Sequence, residues 1–462
     1  MYRRLLTLAL LFAGAASPAV ARPIRFSAAQ TFPSGIAHTA SVAVGDFNGD
    51  GFPDLAISST YNWVAVFLND GDGTFSGPTV YTLTYYVTGQ VAVGDFNKDG
   101  RLDMAVVGGD EAGNGLAFFA GKGDGTFDVP QYFPTILAQS EITAVAADFN
   151  RDGNLDVFTG GNCGSELIVG DGKGNFSDGA IVDACGMGLA VADFNGDGYL
   201  DAALAQTFGH GGINIALGND DGTFQSPQFY SETGEPNAIA SGDFNRDKKL
   251  DLAVTGYESD TIAILQGNGD GTFTPGTEWF AGFSPSAVAV ADFNADGKPD
   301  LAVSDYGGGG VTILPGKGDG TFPKYFSLLT ASGSSDVAAV DLNGDGSPDL
   351  VVVNNGNDSV SVLLNMEGTF IELTTSSNPS HAGQPVTFTA SVQGSVNKSS
   401  LPTGKIIFKD GTKALGHVSL SDGQASLTTS ALKTGVHNIT ANYGGNGKFN
   451  KNQSTVLVQT VQ

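Results

Sequence analysis

The chain has 462 residues, more than one ordinary core accommodates and enough for two domains. It carries 22 Lys and Arg against 48 Asp and Glu, a net charge of −26, which excludes phosphate-backbone binding as the main activity. The acid is local: the 21 aspartates of the repeated loops described below account for most of it, and without them the balance falls to −5. Local acid points to cations rather than to general solubility.

Residues 1–21 read as a secretory signal peptide. Arg3 and Arg4 precede an apolar run from Leu5 to Ala16, and Ala19-Val20-Ala21 supplies small residues for cleavage before Arg22. The run is too short for a stable membrane anchor, and no second stretch of 18 apolar residues follows. A secreted protein is expected, extracellular, at the cell surface or in a periplasm. In such an oxidising compartment the two cysteines, Cys163 and Cys185, invite a disulfide, with two separate buried thiols as the alternative.

From residue 24 to 370 the sequence repeats. An Asp-Phe-Asn-x-Asp-Gly-x-x-Asp loop begins at Asp46, Asp95, Asp148, Asp193, Asp243, Asp292 and Asp341, at spacings of 49, 53, 45, 50, 49 and 49 residues. A Gly-Thr-Phe turn or a near variant follows each loop, from Gly73-Thr74-Phe75 to Gly368-Thr369-Phe370. Short runs rich in Val, Ile and Ala separate these markers. In the first unit they are Ser41–Val44, Leu55–Ile57, Val64–Leu68 and Thr79–Tyr81. Such runs, bounded by Gly, Asn and Asp, predict strands, four to a unit of about 50 residues. That is the size of a propeller blade, so the expected fold is all-β, a seven-bladed β-propeller. A linear solenoid is the other architecture, but it needs distinct caps. Arg25–Thr31 stands where an outer strand precedes the first unit, which predicts that the N-terminus completes the last blade. Thirteen phenylalanines at fixed loop and turn positions are expected to be core.

The loops are candidate calcium sites, up to seven. Positions 1, 3, 5 and 9 offer side-chain oxygens and position 7 a backbone carbonyl, a set suited to a hard cation taking six to eight oxygens. In the first loop these are Asp46, Asn48, Asp50, Phe52 and Asp54; in the second Asp95, Asn97, Asp99, Arg101 and Asp103. The third has Asp148, Asn150, Asp152, Asn154 and Asp156; the fourth Asp193, Asn195, Asp197, Tyr199 and Asp201. The fifth has Asp243, Asn245, Asp247, Lys249 and Asp251; the sixth Asp292, Asn294, Asp296, Lys298 and Asp300. The seventh has Asp341, Asn343, Asp345, Ser347 and Asp349. Position 12, an acid in an EF-hand, is here Ile57, Val106, Thr159, Leu204, Val254, Val303 or Val352, so these are turns between strands. For a single copy, the turn preference of Asp, Asn and Gly would explain the pattern as well as a metal does. Glycine at position 6 suits a positive φ; Lys248 in the fifth loop departs from it and marks the weakest site.

Loop, turn and repeat length resemble the FG-GAP (or VCBS-type) repeats of the integrin α-subunit propeller. The resemblance implies a seven-bladed ring with calcium loops between first and second strands, on the face opposite the usual ligand surface. Integrin ligand specificity does not carry over, because no domain is inserted between blades. Residues 371–462 lose the aspartate loops; segments such as Gly383–Phe388, Gly404–Gly411 and His437–Tyr443 look like bacterial Ig-like repeats, implying a β-sandwich. On the face opposite the loops, Tyr61, Trp63, Tyr85, Tyr86, Phe208, His210, Tyr257, Phe283 and Tyr306 are candidates for ligand contact.

The expected function is a non-catalytic, calcium-binding adhesion or recognition protein for extracellular glycans or surface proteins. It has no nucleic-acid partner and no membrane-spanning segment. A polysaccharide lyase or hydrolase is the alternative: His38, His210, His381, His417 and His437 are scattered, yet the ring could gather Asp110, Glu111, Glu232 and Glu258. A structural spacer is the third reading.

Overall fold

The computed structural model describes residues 24–462 except 85–88, 109–113, 137–140, 162–163, 208–210, 232–233, 367–368, 395–400, 447–448 and 450. The signal peptide therefore lies outside the described residues, as do Tyr85, Tyr86, Phe208, His210, Cys163, Asp110, Glu111 and Glu232. Among the described residues no helix is long and apolar enough to cross a membrane.

Among the described residues, seven four-stranded antiparallel sheets follow one another along the chain. The first runs Thr39–Gly45, Asp54–Ser59, Trp63–Phe67 and Thr79–Thr82 from inner to outer edge. The two middle strands are buried along almost their whole length, because each sheet is covered on both faces by its neighbours. That is why they read as unbroken apolar runs, while the outer strands are largely exposed and carry polar residues.

The seventh sheet is made from both ends of the repeat region. Ser334–Val340, Asp349–Asn354 and Ser359–Leu363 are joined by Gln30–Pro33, paired antiparallel from Gln30 opposite Val362 to Pro33 opposite Ser359. The N-terminal strand thus completes the last sheet, a few residues later than Arg25–Thr31. At the seam, Val42 N–H donates to Asp336 Oδ2 at 2.9 Å and Ser335 Oγ to Ala40 O at 3.0 Å. Closure removes the free edges that sheets of this kind otherwise present.

The phenylalanines staple sheet to sheet. Position-2 rings meet the turn ring of the following sheet edge-on or tilted: Phe47 with Phe127 at 5.4 Å, Phe96 with Phe176 at 5.5 Å, Phe194 with Phe273 at 5.6 Å, Phe244 with Phe322 at 5.7 Å. Phe293 of the sixth sheet pairs instead with Phe26, at 5.6 Å. Phe26 also bridges Asn365, just as Phe75 bridges Asn69 and Phe127 bridges Gly121. This corrects the seventh Gly-Thr-Phe marker. Thr369–Thr375 is not a blade turn; it is the first strand of the C-terminal sandwich, paired with Val386–Gly394. Phe26 fills the vacated role. The turn glycines are fixed by close approach as well: Gly73 has φ +82°, and a Cβ there would sit 2.6 Å from Leu364, just past the strand Ser359–Leu363 of the seventh sheet.

The sandwich sets Thr369–Thr375, Val386–Gly394 and Gln424–Thr429 in one sheet. Lys405–Asp410, Lys413–Ser419, Gly435–Tyr443 and Asn452–Gln453 form the other, with Leu457–Val461 paired to Gly435–Tyr443. Phe388, Ile406, Phe408, Ile439 and Phe449 fill its core.

Candidate metal centre

Each aspartate loop joins the first and second strands of a sheet, so antiparallel order puts all seven at one end of the ring, beside the Gly-Thr-Phe turns. One hydrogen-bond pattern recurs. The position-6 N–H donates to Oδ2 of the position-1 aspartate in every loop, from Gly51 to Asp46 at 2.9 Å through Gly346 to Asp341 at 2.8 Å. The position-5 N–H donates to the position-3 asparagine, and the position-7 N–H to the position-5 aspartate, again seven times. Side-chain oxygens at 1, 3 and 5 thereby line one tight turn.

The aspartate at position 9 plays a different part. Asp54 is fully buried; its Oδ2 accepts from Phe47 N–H at 2.9 Å and its Oδ1 from Asn69 N–H at 2.8 Å, tying loop, second strand and third strand together. Asp103, Asp156, Asp201, Asp251, Asp300 and Asp349 do the same. The residue type alone suggests only a ligand; the two backbone donors make it a brace as well.

Two left-handed residues shape every loop. Position 6 has positive φ throughout, including Lys248 at +70°, as its departure from glycine suggests. Position 4 does too: Gly49, Lys98, Arg151, Gly196, Arg246, Ala295 and Gly344 lie between +55° and +76°. The sequence hid this second constraint behind four non-glycine residues, though Gly49, Gly196 and Gly344 signalled it. The fifth loop alone places two long side chains, Arg246 and Lys248, in that region.

Burial dominates the electrostatics. It pushes Asp54, Asp103, Asp156, Asp201 and Asp251 up to about 6, Asp300 to about 7 and Asp349 to about 8, against the opposing pull of their backbone donors. The loop's other carboxylates add to the rise. Among the described residues, ion pairs reach only two loop aspartates: Arg101 to Asp99 at 3.8 Å and Lys298 to Asp296 at 3.1 Å. Among the same residues, no three acidic, His or Cys side chains already converge as a ready-made ligand set, since each carboxylate is turned onto backbone donors. The donors still fit a hard cation. All are oxygens on one turn, and Asp148 Oδ1 is buried with no hydrogen bond. A divalent ion would supply the positive charge these carboxylates lack.

At the opposite end the aromatic candidates separate into two groups. His38, Tyr61 and Trp63 meet in sequence, edge-on and then tilted, with centroids 4.7 and 5.9 Å apart. Tyr257 and Tyr306 lie 6.4 Å apart, and Phe283 packs on Phe280 at 5.7 Å. Phe283 and Tyr306 are 58 % and 42 % exposed. Glu258 is exposed on the same side, its N–H on Gly234 O. Cys185 is half-buried in the connection between Phe176–Val182 and Gly188–Ala192.

A model of the bacterial Ig-like domain (group 3) matches residues 373–462. No curated protein matches the chain. Among solved structures, BBS1N in complex with ARL6DN is similar over 74 % of this chain and 96 % of that one, at 10 % identity and TM-score 0.51 for the mercury-soaked crystal. The lead-soaked crystal gives the same coverage, 12 % identity and TM-score 0.50. An Agrocybe aegerita lectin, described by its recognition of non-reducing terminal N-acetylglucosamine, gives 20 % identity over 63 % of this chain and 80 % of that one, at TM-score 0.48. At such identities the likeness to BBS1N concerns fold alone. The FG-GAP-like repeat model matches six overlapping windows, 46–106, 95–159, 148–204, 193–254, 243–303 and 292–352, each opening at a loop's first aspartate. The chain belongs to the FG-GAP-like repeat family.

Proposed function

We propose that this chain is a secreted, non-catalytic recognition protein whose ring is braced by calcium at one end and binds an extracellular glycan or surface protein at the other. The observation that carries the reading is the sevenfold recurrence of one oxygen-lined turn around a buried aspartate that, among the described residues, no side-chain ion pair reaches. Calcium, when bound, supplies charge and six to eight coordination positions. The chain's own residues hold the turn in shape: positions 4 and 6 by their left-handed backbone, position 9 by its two backbone donors. Ligand contact is assigned to the two aromatic groups, since exposed rings stack on the apolar faces of sugars or serve as protein hot spots.

The test has two readouts. Metal content of the purified, calcium-dialysed chain is measured by plasma mass spectrometry, with several calcium ions per chain expected. A glycan array is then probed by wild type, Trp63→Ala and Tyr306→Ala, with and without chelator. A metal-free chain whose melting ignores EDTA would overturn the calcium reading. Turnover of a bound polysaccharide would overturn the non-catalytic one.

A further inference from the structure

The seven loops are chemically alike but not equally open to water. Position 5 is exposed in the first five (Asp50, Asp99, Asp152, Asp197, Asp247) and half-buried in the sixth, at Asp296. In the seventh, Asn343, Asp345 and Ser347 are each 1 % exposed. Oδ2 of Asp345 is buried and makes no hydrogen bond, with the side chains of Asn343 and Ser347 approaching the same carboxylate.

The cover over this loop comes from the ring's seam. The Phe52 ring of the first sheet's loop lies 3.5 Å from where a Cβ on Gly344 would stand. Asn69 Nδ2 donates to Leu342 O at 2.8 Å. Behind the loop, Asn365 N–H donates to Asp349 Oδ1 at 2.7 Å, and Asn365 is the residue that Phe26 of the N-terminal segment bridges. Next to it, Met366 N–H donates to Arg25 O at 2.8 Å. The seventh brace and the closing strand therefore share one anchor point.

Charge divides the loops as well, and the seventh falls among the five whose aspartates no ion pair reaches among the described residues. Arg151, at position 4 of the third loop, donates to Gly198 O of the fourth and lies 4.4 Å from the Tyr199 ring. Lys98 reaches toward Gly153 of the third loop, and Lys298 pairs with Asp296 in the sixth. The residue placed to serve the seventh loop in this way is Ala295, and among the described residues no ion pair reaches Asp341, Asp345 or Asp349. An ion there would meet no competing cation. To leave, it would first need the cover to open and let water in.

We infer that the seventh loop holds the slowest-exchanging cation of the ring, and that this ion locks the seam where the N-terminal strand completes the seventh sheet. The inference rests on the calcium reading above. It is tested on the full mature chain loaded with calcium and then moved into excess EGTA. Remaining calcium is followed by plasma mass spectrometry, and hydrogen exchange is followed at Gln30–Pro33. Roughly one ion per chain should leave at least about tenfold more slowly than the rest, because it escapes through local opening. Asp345→Asn should remove that slow ion and speed exchange at Gln30–Pro33. Phe52→Ala keeps the first loop's carbonyl but uncovers the seventh; it should quicken the slow phase alone, and it carries the test if Asp345→Asn does not fold. A single release rate for all ions, or a slow ion that survives Asp345→Asn, would overturn the inference while leaving the calcium reading standing. A chain with no calcium before EGTA is added would overturn the calcium reading, and this inference with it.

Discussion

The propeller and the sandwich solve the same problem with different chemistry. Both must fix strand ends in place. The sandwich does it with one continuous core in which Phe388, Phe408 and Phe449 interlock, and it carries none of the seven loops. The propeller divides its apolar core into smaller clusters lying between neighbouring sheets, and it ties every sheet with a buried aspartate. Burying a carboxylate is costly unless donors or a cation compensate it. The propeller is therefore expected to depend on divalent ions in a way the sandwich is not.

Removing divalent ions should break that comparison most visibly. If sites are filled to about a hundred times their Kd, each contributes roughly 2.7 kcal/mol, so stripping several should lower the propeller's melting by on the order of 20 °C. The sandwich transition should stay where it is. Calorimetry of the full chain with and without EDTA separates the two; equal shifts in both transitions would contradict the assignment. Next in size is Asp201→Ala, which leaves the N–H groups of Phe194 and Gly218 buried without an acceptor. The cost should be about 3 kcal/mol and should persist in EDTA, since the brace acts without metal. Asp201→Asn, which keeps one acceptor oxygen, should restore part of it.

Phe26→Ala is expected to cost about 2 kcal/mol, less than a fully buried phenylalanine, because the ring is half-buried on Phe293. It should loosen the ring at its seam, read as faster exchange at Gln30–Pro33. This residue also marks where the sequence stopped being legible. Repeat length, loop and turn markers were enough to place seven sheets and the role of the N-terminus. They also assigned Gly368-Thr369-Phe370 to the last turn, because a local motif cannot show which strand its neighbours pair with. Thr369–Thr375 alternates well enough to join either domain, and tertiary pairing with Val386–Gly394 decided it. The site was partly legible for a related reason. Oxygen positions are read from residue types, whereas the positive φ of Lys98, Arg151, Arg246 and Ala295 is imposed by the loop against their own preference. The cover over the seventh loop comes from Phe52, nearly 300 residues away in sequence, and no local pattern encodes it.

A smaller effect should follow from Lys248→Gly. It relieves a left-handed lysine at φ +70° and removes a positive charge from the fifth loop. A gain of about 1 kcal/mol in the ring is expected. Calcium titration should show tighter binding at one site only, and unchanged affinity would mean that position 6 does not limit the fifth loop.

The smallest effect sharpens the comparison from the sandwich side, where a histidine is paired with a carboxylate. His437 Nδ1 lies 2.6 Å from Asp410 Oδ2 and Nε2 lies 2.8 Å from Lys433 O. Both partners are acceptors, so both ring nitrogens must carry protons for the two bonds to form together. The Lys433 carbonyl and the Asp410 carboxylate accordingly raise the imidazole above its ordinary value of 6.5. A group whose folded value is raised stabilises the fold fully below the unfolded value, and that stabilisation is lost as pH climbs through the folded value. The sandwich should therefore melt about 3 °C lower at pH 8 than at pH 6, a modest shift because the pair is partly exposed. His437→Gln should flatten the dependence without moving the propeller transition. A pH effect of the same size surviving in His437→Gln would place its origin elsewhere in the sandwich.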